Sequence, residues 1–297
     1  MSFKHPIISV TGSSGAGTST ARIAFEHIFR RIGAQAVYVE GDAFHKHDRE
    51  AMKNALQRAR IRSENLSHFG PSANHLDRLE NLFRSYAADG TGMARRYLHT
   101  ENEAAPFGQE PGTFTPWEPI PEDTDVMMYE GLHGGIVSDR VNIAEHVDLL
   151  VGVVPTINLE WIQKICRDIN ERGYSTEEVK KTILRRMPDY VNYITPQFSL
   201  TDVNFQRVPL VDTSNPFIAR DVPNSDESMV VIRFRDPRKW HIDFPYLLTM
   251  LNGAYMSRPN TLVVPGSRMR FAIEIIIGPM VETLIERRRM ILEEEQE

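Results

Sequence analysis

A single cysteine, Cys166, stands in 297 residues, so neither an intrachain disulfide nor an intrachain dithiol switch can form. Cys166 reads as an ordinary helix residue, and the scarcity of thiols agrees with a reducing compartment. Long apolar runs are also lacking. None approaches the roughly 20 residues of a bilayer-crossing helix, and residues 1–6 lead straight into a strand-like run with no secretory signal. A cytoplasmic chain is expected. Positive charge is in deficit: 34 Lys and Arg against 40 Asp and Glu give a net charge of −6, which offers nothing in bulk to nucleic acid or an anionic membrane. A pocket for one small phosphorylated molecule needs only a few cations gathered by the fold, and that possibility stays open. Internal repeats and low-complexity linkers are absent.

What is present is an ordinary globular composition, 41% hydrophobic and 25% charged, and a patterned start. Residues 7–11 are apolar and β-branched. A Gly-rich loop follows, then a helical stripe of Ala21, Ala24, Phe25, Ile28 and Phe29. Gly33 stops that helix and residues 36–40 read as a second strand. Strand, helix and strand in this order make a βαβ unit, so the fold class is α/β with a mixed, mainly parallel sheet flanked by helices. Further strands are expected at 126–129, 149–153, 207–211, 230–234 and 262–264, and helices at 158–172, 176–186 and from about 268 to the end. Residues 69–121, rich in Gly and Pro, read as loops and a hairpin over the substrate side. No composition shift marks a boundary, and one domain over 1–297 is expected.

The loop holds the chemistry. Gly12, Ser13, Ser14, Gly15, Ala16, Gly17, Thr18, Ser19 and Thr20 follow the G-x-x-x-x-G-K-[ST] pattern between strand and helix, except that Thr18 stands where the pattern has lysine. The glycines let successive N–H groups turn inward around phosphate oxygens at a helix N-terminus, and Ser19 would offer its hydroxyl to Mg²⁺. A plain Gly/Ser turn is the alternative. If a phosphate is bound, another cation has to compensate for Thr18, and Lys164 is the candidate, beside Arg167 and Asp168.

Two acids end apolar strands. Asp42, in Glu40-Gly41-Asp42, is placed to take a proton from an attacking hydroxyl, or simply to cap a helix. Glu130, ending 126–130, is placed to approach Mg²⁺, or is a surface glutamate. His45, Arg49 and Lys53 recur every four residues, which puts them on one helical face. That face is either solvated charge or a site for an anionic substrate. Lys164, Arg167 and Arg172 form a second cluster. Arg185 and Arg186 are either surface charge or close over a nucleotide.

Taken together, the blocks TGSSGAGTST, EGDAFH, YEGLHG, NLEWIQKICRD, ERGYS, ILRRMPDYV, PQFS, TDVNFQRVP, VDTSNPF and RFRDPR resemble the phosphoribulokinase/uridine kinase family, in its bacterial phosphoribulokinase branch, over about residues 6–265. The resemblance implies a P-loop fold like that of the nucleoside monophosphate kinases. It implies transfer of the γ-phosphate of MgATP to the 1-hydroxyl of ribulose 5-phosphate in the Calvin cycle of carbon fixation. By similarity Asp42 is the base, Asp168 a further essential acid, and Lys164 and Arg167 active-site cations. Glu130 and Ser19 attend the metal, residues 12–20 and Arg186 the nucleotide, and His45, Arg49, Lys53 and Arg172 the sugar phosphate. That family carries Thr at the Thr18 position. The resemblance further implies a homo-octamer activated by NADH and inhibited by AMP, with Arg31, Arg233 and Arg258 where an allosteric site is expected; surface charge is the alternative for each. A uridine- or pantothenate-type kinase and a non-catalytic nucleotide sensor are the rival readings. The first lacks a use for the basic face, and the second for three retained acids.

Overall fold

The structure is a computed structural model that describes residues 4–13, 18–170, 173–219 and 221–295, with Thr18 and Ser19 described by their backbone alone. The strands are β1 (Ile7–Thr11), β2 (Ala36–Glu40), β3 (Met93–Ala94), β4 (Glu118–Pro119), β5 (Val126–Gly131), β6 (Leu149–Pro155), β7 (Val203–Pro209), β8 (Ser228–Phe234), β9 (Tyr255–Arg258) and β10 (Thr261–Pro265). The helices are α1 (Thr18–Ile32), α2 (Arg49–Ile61), α3 (Leu76–Asp89), α4 (Glu101–Ala104), α5 (Ile157–Asn170), α6 (Thr176–Asp189), α7 (Phe244–Met250) and α8 (Met269–Glu294). Among the described residues eight strands form one sheet in the order β2-β5-β1-β6-β7-β8-β10-β9. The first five run parallel and the last three antiparallel.

Alternation along the strands supplies two cores, because successive side chains leave a strand on opposite faces. Ile8 and Val10 of β1, with Val126 and Met128 of β5, face α1 and α8. Ile7, Met127 and Tyr129 face α3. Both faces are covered, which is why all of β1, including Ser9 and Thr11, is buried rather than alternating. The five parallel strands end on one edge, and that edge carries the site. None of the described helices is long and apolar enough to cross a membrane.

Two expectations need correcting. The stretch 69–121 is not loops and hairpin alone: it contains α3, whose Leu76, Leu79, Leu82, Phe83 and Tyr86 are buried at helical spacing. The Gly and Pro residues that flank this helix hid its period. In place of a hairpin there is a two-residue antiparallel pairing of β3 with β4, with α4 between them in sequence. The strand expected at 207–211 spans Val203–Pro209 instead. Asp202 and Asn204 interrupt its apolar pattern, but Asp202 is buried because its carboxylate accepts from the Leu150 N–H and from Lys239. Strand β9 and helix α7 were not anticipated. The C-terminal helix begins at Met269, one residue after its expected start.

Candidate active site

Register sets the site. Glu40 of β2 pairs with Glu130 of β5, and Val10 and Thr11 of β1 pair with Glu130 and Gly131. The phosphate loop, Glu130 and the turn bearing Asp42 therefore leave the sheet side by side. Backbones approach closely there. A Cβ on Gly41 would lie 2.9 Å from the Gly131 Cα and 2.5 Å from the Tyr129 hydroxyl, so only glycine fits at both strand exits. The Gly12 N–H donates to the Gly131 carbonyl at 3.2 Å, joining the loop to the Glu130 strand.

Asp42 lies in a 3₁₀ turn, Gly41–Phe44. Its carboxylate oxygens stand 3.6 Å from His45 Nε2 and 3.7 Å from His99 Nε2, beyond hydrogen-bond length, and the group remains 43% exposed. It stands between two imidazoles. His45 and His68 stack at 4.1 Å between ring centroids. Burial holds His45 below its ordinary value in spite of Asp42, and holds His68 well below. His133, whose Nε2 is 2.9 Å from the Phe69 carbonyl, is pushed by burial down to about 4. At neutral pH these rings are neutral, so His45 offers a hydrogen bond and not a charge.

This corrects the basic face. His45 is not on α2: it follows the 3₁₀ turn in extended conformation, and Asp48 caps the helix by accepting from the Ala51 N–H. Arg49 and Lys53 do share the first turns of α2, both exposed. The Arg49 guanidinium donates to the His99 carbonyl at 3.0 Å, which ties the helix to the insertion.

The opposite wall is α5 with α6. Lys164 and Asp168 are paired one turn apart, Arg167 lies 3.5 Å from the same carboxylate, and Asp168 is buried. Burial, with Arg186 adding to it, lowers the Lys164 ammonium to about 8 against the pull of Asp168. Arg186 lies over the Phe69 ring at 5.5 Å and within electrostatic reach of Lys164 and His45, so it bridges the two walls. Its neighbour Arg185 donates to the Leu66 carbonyl and is structural.

The phosphate loop is described at Gly12 and at buried Ser13, and again from Thr18. Ser14, Gly15, Ala16 and Gly17, the side chains of Thr18 and Ser19, and Arg172 lie outside the described residues. Thr20 is half-buried in the first turn of α1. Glu40 is engaged by Arg22 at 2.7 Å, and Glu130 ends the neighbouring strand beside the loop.

Sequence reasoning passed over Glu160 and His99. Glu160 precedes Lys164 and Asp168 by one and two turns, so the spacing of four that paired those two extends to it. It is buried, its carboxyl faces the hydroxyls of Ser13 and Tyr190, and burial pushes it up to about 7. His99 carried no signal, since only the docking of the insertion brings it to Asp42. The three arginines expected to act together are divided. Arg233 and Arg258 flank Thr261 on neighbouring strands and line one cavity of about 520 Å³. Arg31, in the last turn of α1, pairs with Glu282 of α8 at 2.8 Å and does not line that cavity.

A family model, that of the phosphoribulokinase / uridine kinase family, matches residues 7–214. The chain belongs to the phosphoribulokinase/uridine kinase family. Within that family it is 62% identical over 290 residues to a chromosomal phosphoribulokinase of Cupriavidus necator, covering 97% of this chain and 99% of the relative. It is 58% identical over 288 residues to a phosphoribulokinase of Rhizobium meliloti, with 97% and 99% covered. Among solved structures, a phosphoribulokinase from Rhodobacter spheroides superposes with a TM-score of 0.90 at 52% identity, over 97% of this chain and all of that one. The P-loop kinase fold expected from the resemblance is thereby shown.

Proposed function

We propose that the chain transfers the γ-phosphate of ATP to the 1-hydroxyl of D-ribulose 5-phosphate, giving ribulose 1,5-bisphosphate. The observation that carries this is the half-exposed Asp42 carboxylate between two imidazoles, on the sheet edge of the phosphate loop. Near full-length identity to phosphoribulokinases supports the choice of sugar.

Transfer proceeds in line. The sugar oxygen forms a bond to the γ-phosphorus while the β–γ bridging P–O bond breaks, ADP leaves with that electron pair, and the hydroxyl proton passes to Asp42. Arg49 and Lys53 bind the sugar phosphate, Arg172 belongs to the same reading, and His45 and His99 orient the sugar by hydrogen bonds. Lys164, held by Asp168, takes the place of the Walker lysine. With Arg167 and Arg186 it stabilises charge on the transferred group. Glu130 and Ser19, both hard oxygen donors, would hold nucleotide-borne Mg²⁺, which would supply neutralisation of charge on the transferred phosphate. The cavity bearing Arg233 and Arg258 is assigned to an anionic effector, with NADH the activator and a homo-octamer the assembly that the resemblance implies.

Lys53→Ala or Arg49→Ala should raise the KM for ribulose 5-phosphate by about tenfold or more and change the KM for ATP little, because each removes one charge-assisted contact to the sugar phosphate. Unchanged sugar kinetics in both variants would move the pocket elsewhere. The function itself is tested by coupled ATP consumption with ribulose 5-phosphate and with uridine as control. Turnover with uridine alone would favour the other branch of the family, and turnover with neither would favour a nucleotide sensor.

A further inference from the structure

Arg95 follows β3 in the insertion, far from the phosphate loop in sequence. Its guanidinium lies over two rings, 3.7 Å from the Phe114 centroid and 4.6 Å from that of Trp117. Nε donates to the Ala43 carbonyl at 2.7 Å and Nη2 to the His45 carbonyl at 2.6 Å. Those two carbonyls close the turn that carries Asp42. The described residues give Arg95 no carboxylate partner. Burial lowers it to about 10, and the charged neighbour acting on it is another cation, Arg78.

A half-buried cation without a counter-ion is costly to hold, and stacking with two backbone acceptors is what this one receives in return. Arginine suits the role because its planar fork can stack and donate twice at once, which lysine cannot do. The surrounding loop is fixed as well by two bonds between Arg96 and Thr115, the Thr115 N–H donating to the Arg96 carbonyl and the Arg96 N–H to the Thr115 side-chain hydroxyl. The same stretch presents His99 to Asp42. Arg95 is thus the point at which the insertion grips the Asp42 turn.

We infer that Arg95 is a positioning residue for the phosphoryl-transfer reaction, holding the Asp42–His45 turn in register with the insertion by forked donation to the Ala43 and His45 carbonyls. This rests on the reading of Asp42 as the base. Small displacements of a reacting group cost large factors in rate, about 100-fold for an ångström.

The test is steady-state kinetics of Arg95→Ala and Arg95→Lys with ribulose 5-phosphate and ATP, alongside Asp42→Asn and the Asp42→Asn/Arg95→Ala double variant, with melting temperatures throughout. Arg95→Ala should lower kcat by about 10- to 100-fold while the KM for ATP stays within about twofold. Arg95→Lys, which keeps charge and most of the volume, should resemble Ala in kcat and the wild type in melting temperature. The double variant should fall no further than Asp42→Asn alone, since Arg95 acts through that residue. A lowered melting temperature with unchanged kcat overturns the inference, as does full rescue by lysine or a multiplicative loss in the double variant. Near-normal turnover in Asp42→Asn would overturn the base assignment, an outcome read independently of either Arg95 single variant.

Discussion

Asp42→Asn should reduce kcat by roughly 10³-fold while changing the KM for ATP by less than about threefold. The substitution is isosteric and removes the proton acceptor alone. The turn is held by backbone contacts, through Arg95 and through the close approach of Gly41 to Gly131, so the geometry should survive. Neither His45 nor His99 is close enough to hydrogen-bond the carboxylate, at 3.6 and 3.7 Å, so it is available to a substrate hydroxyl. His45 stands beside the lost carboxylate, but burial holds it below its ordinary value, so its protonated form is disfavoured and it is a poor replacement acceptor. Steady-state assays at saturating ribulose 5-phosphate, with nucleotide affinity measured separately, decide the matter. Turnover within tenfold of the wild type would mean that another group takes the proton.

The second large effect is on stability. Glu160→Gln should stabilise the fold by on the order of 3 kcal/mol at pH 8 and by close to nothing at pH 4. Burial raises the Glu160 carboxyl from an ordinary 4.5 to about 7. A carboxyl whose folded value lies above its unfolded value binds its proton more tightly when folded. Its contribution is fully present below about 4.5, is lost as pH rises, and is gone above about 7. Above that pH the wild type has to bury a carboxylate, whereas Gln keeps the shape of the protonated acid at every pH. Ser13, Tyr190, Arg186 and Lys164 all act to favour the charged form, but burial outweighs them. Urea unfolding midpoints of both proteins at pH 4, 6 and 8 test this, with the gap expected to open between the first and the last. Equal midpoints at pH 8 would show that the carboxylate is adequately solvated or paired.

How far the sequence could be read depended on what kind of constraint each residue obeys. The βαβ start was legible because β1, the loop and α1 are adjacent and each follows a local rule: an apolar run, a glycine spacing, a stripe of period 3.6. Asp42 and Glu130 were legible because strand ends of a parallel sheet share one edge whatever the remaining topology. Lys164 and Asp168 were legible because their pairing is an i,i+4 contact within one helix, and Glu160 could have been read from the same rule. By contrast, His45 was put on the helical face of Arg49 and Lys53. Spacing alone cannot reveal that Asp48 caps the helix and leaves His45 in the preceding turn.

His99 and Arg95 belong to neither kind. Their roles come from contacts across about fifty residues, to Asp42 and to the Ala43 and His45 carbonyls, and no local period encodes such a pairing. The same holds for charge. Composition announced an acidic chain, yet burial holds His45, His68 and His133 below and Glu160 above their ordinary values, through desolvation that exists only once the walls have closed. By itself the sequence determined the fold class and the placing of Asp42 and Glu130 at one sheet edge, because short-range backbone geometry and hydrophobic periodicity suffice for these. Tertiary structure decided which groups share the pocket, which of them carry charge, and what holds the Asp42 turn in place, because proximity between distant segments and removal from water arise only on folding.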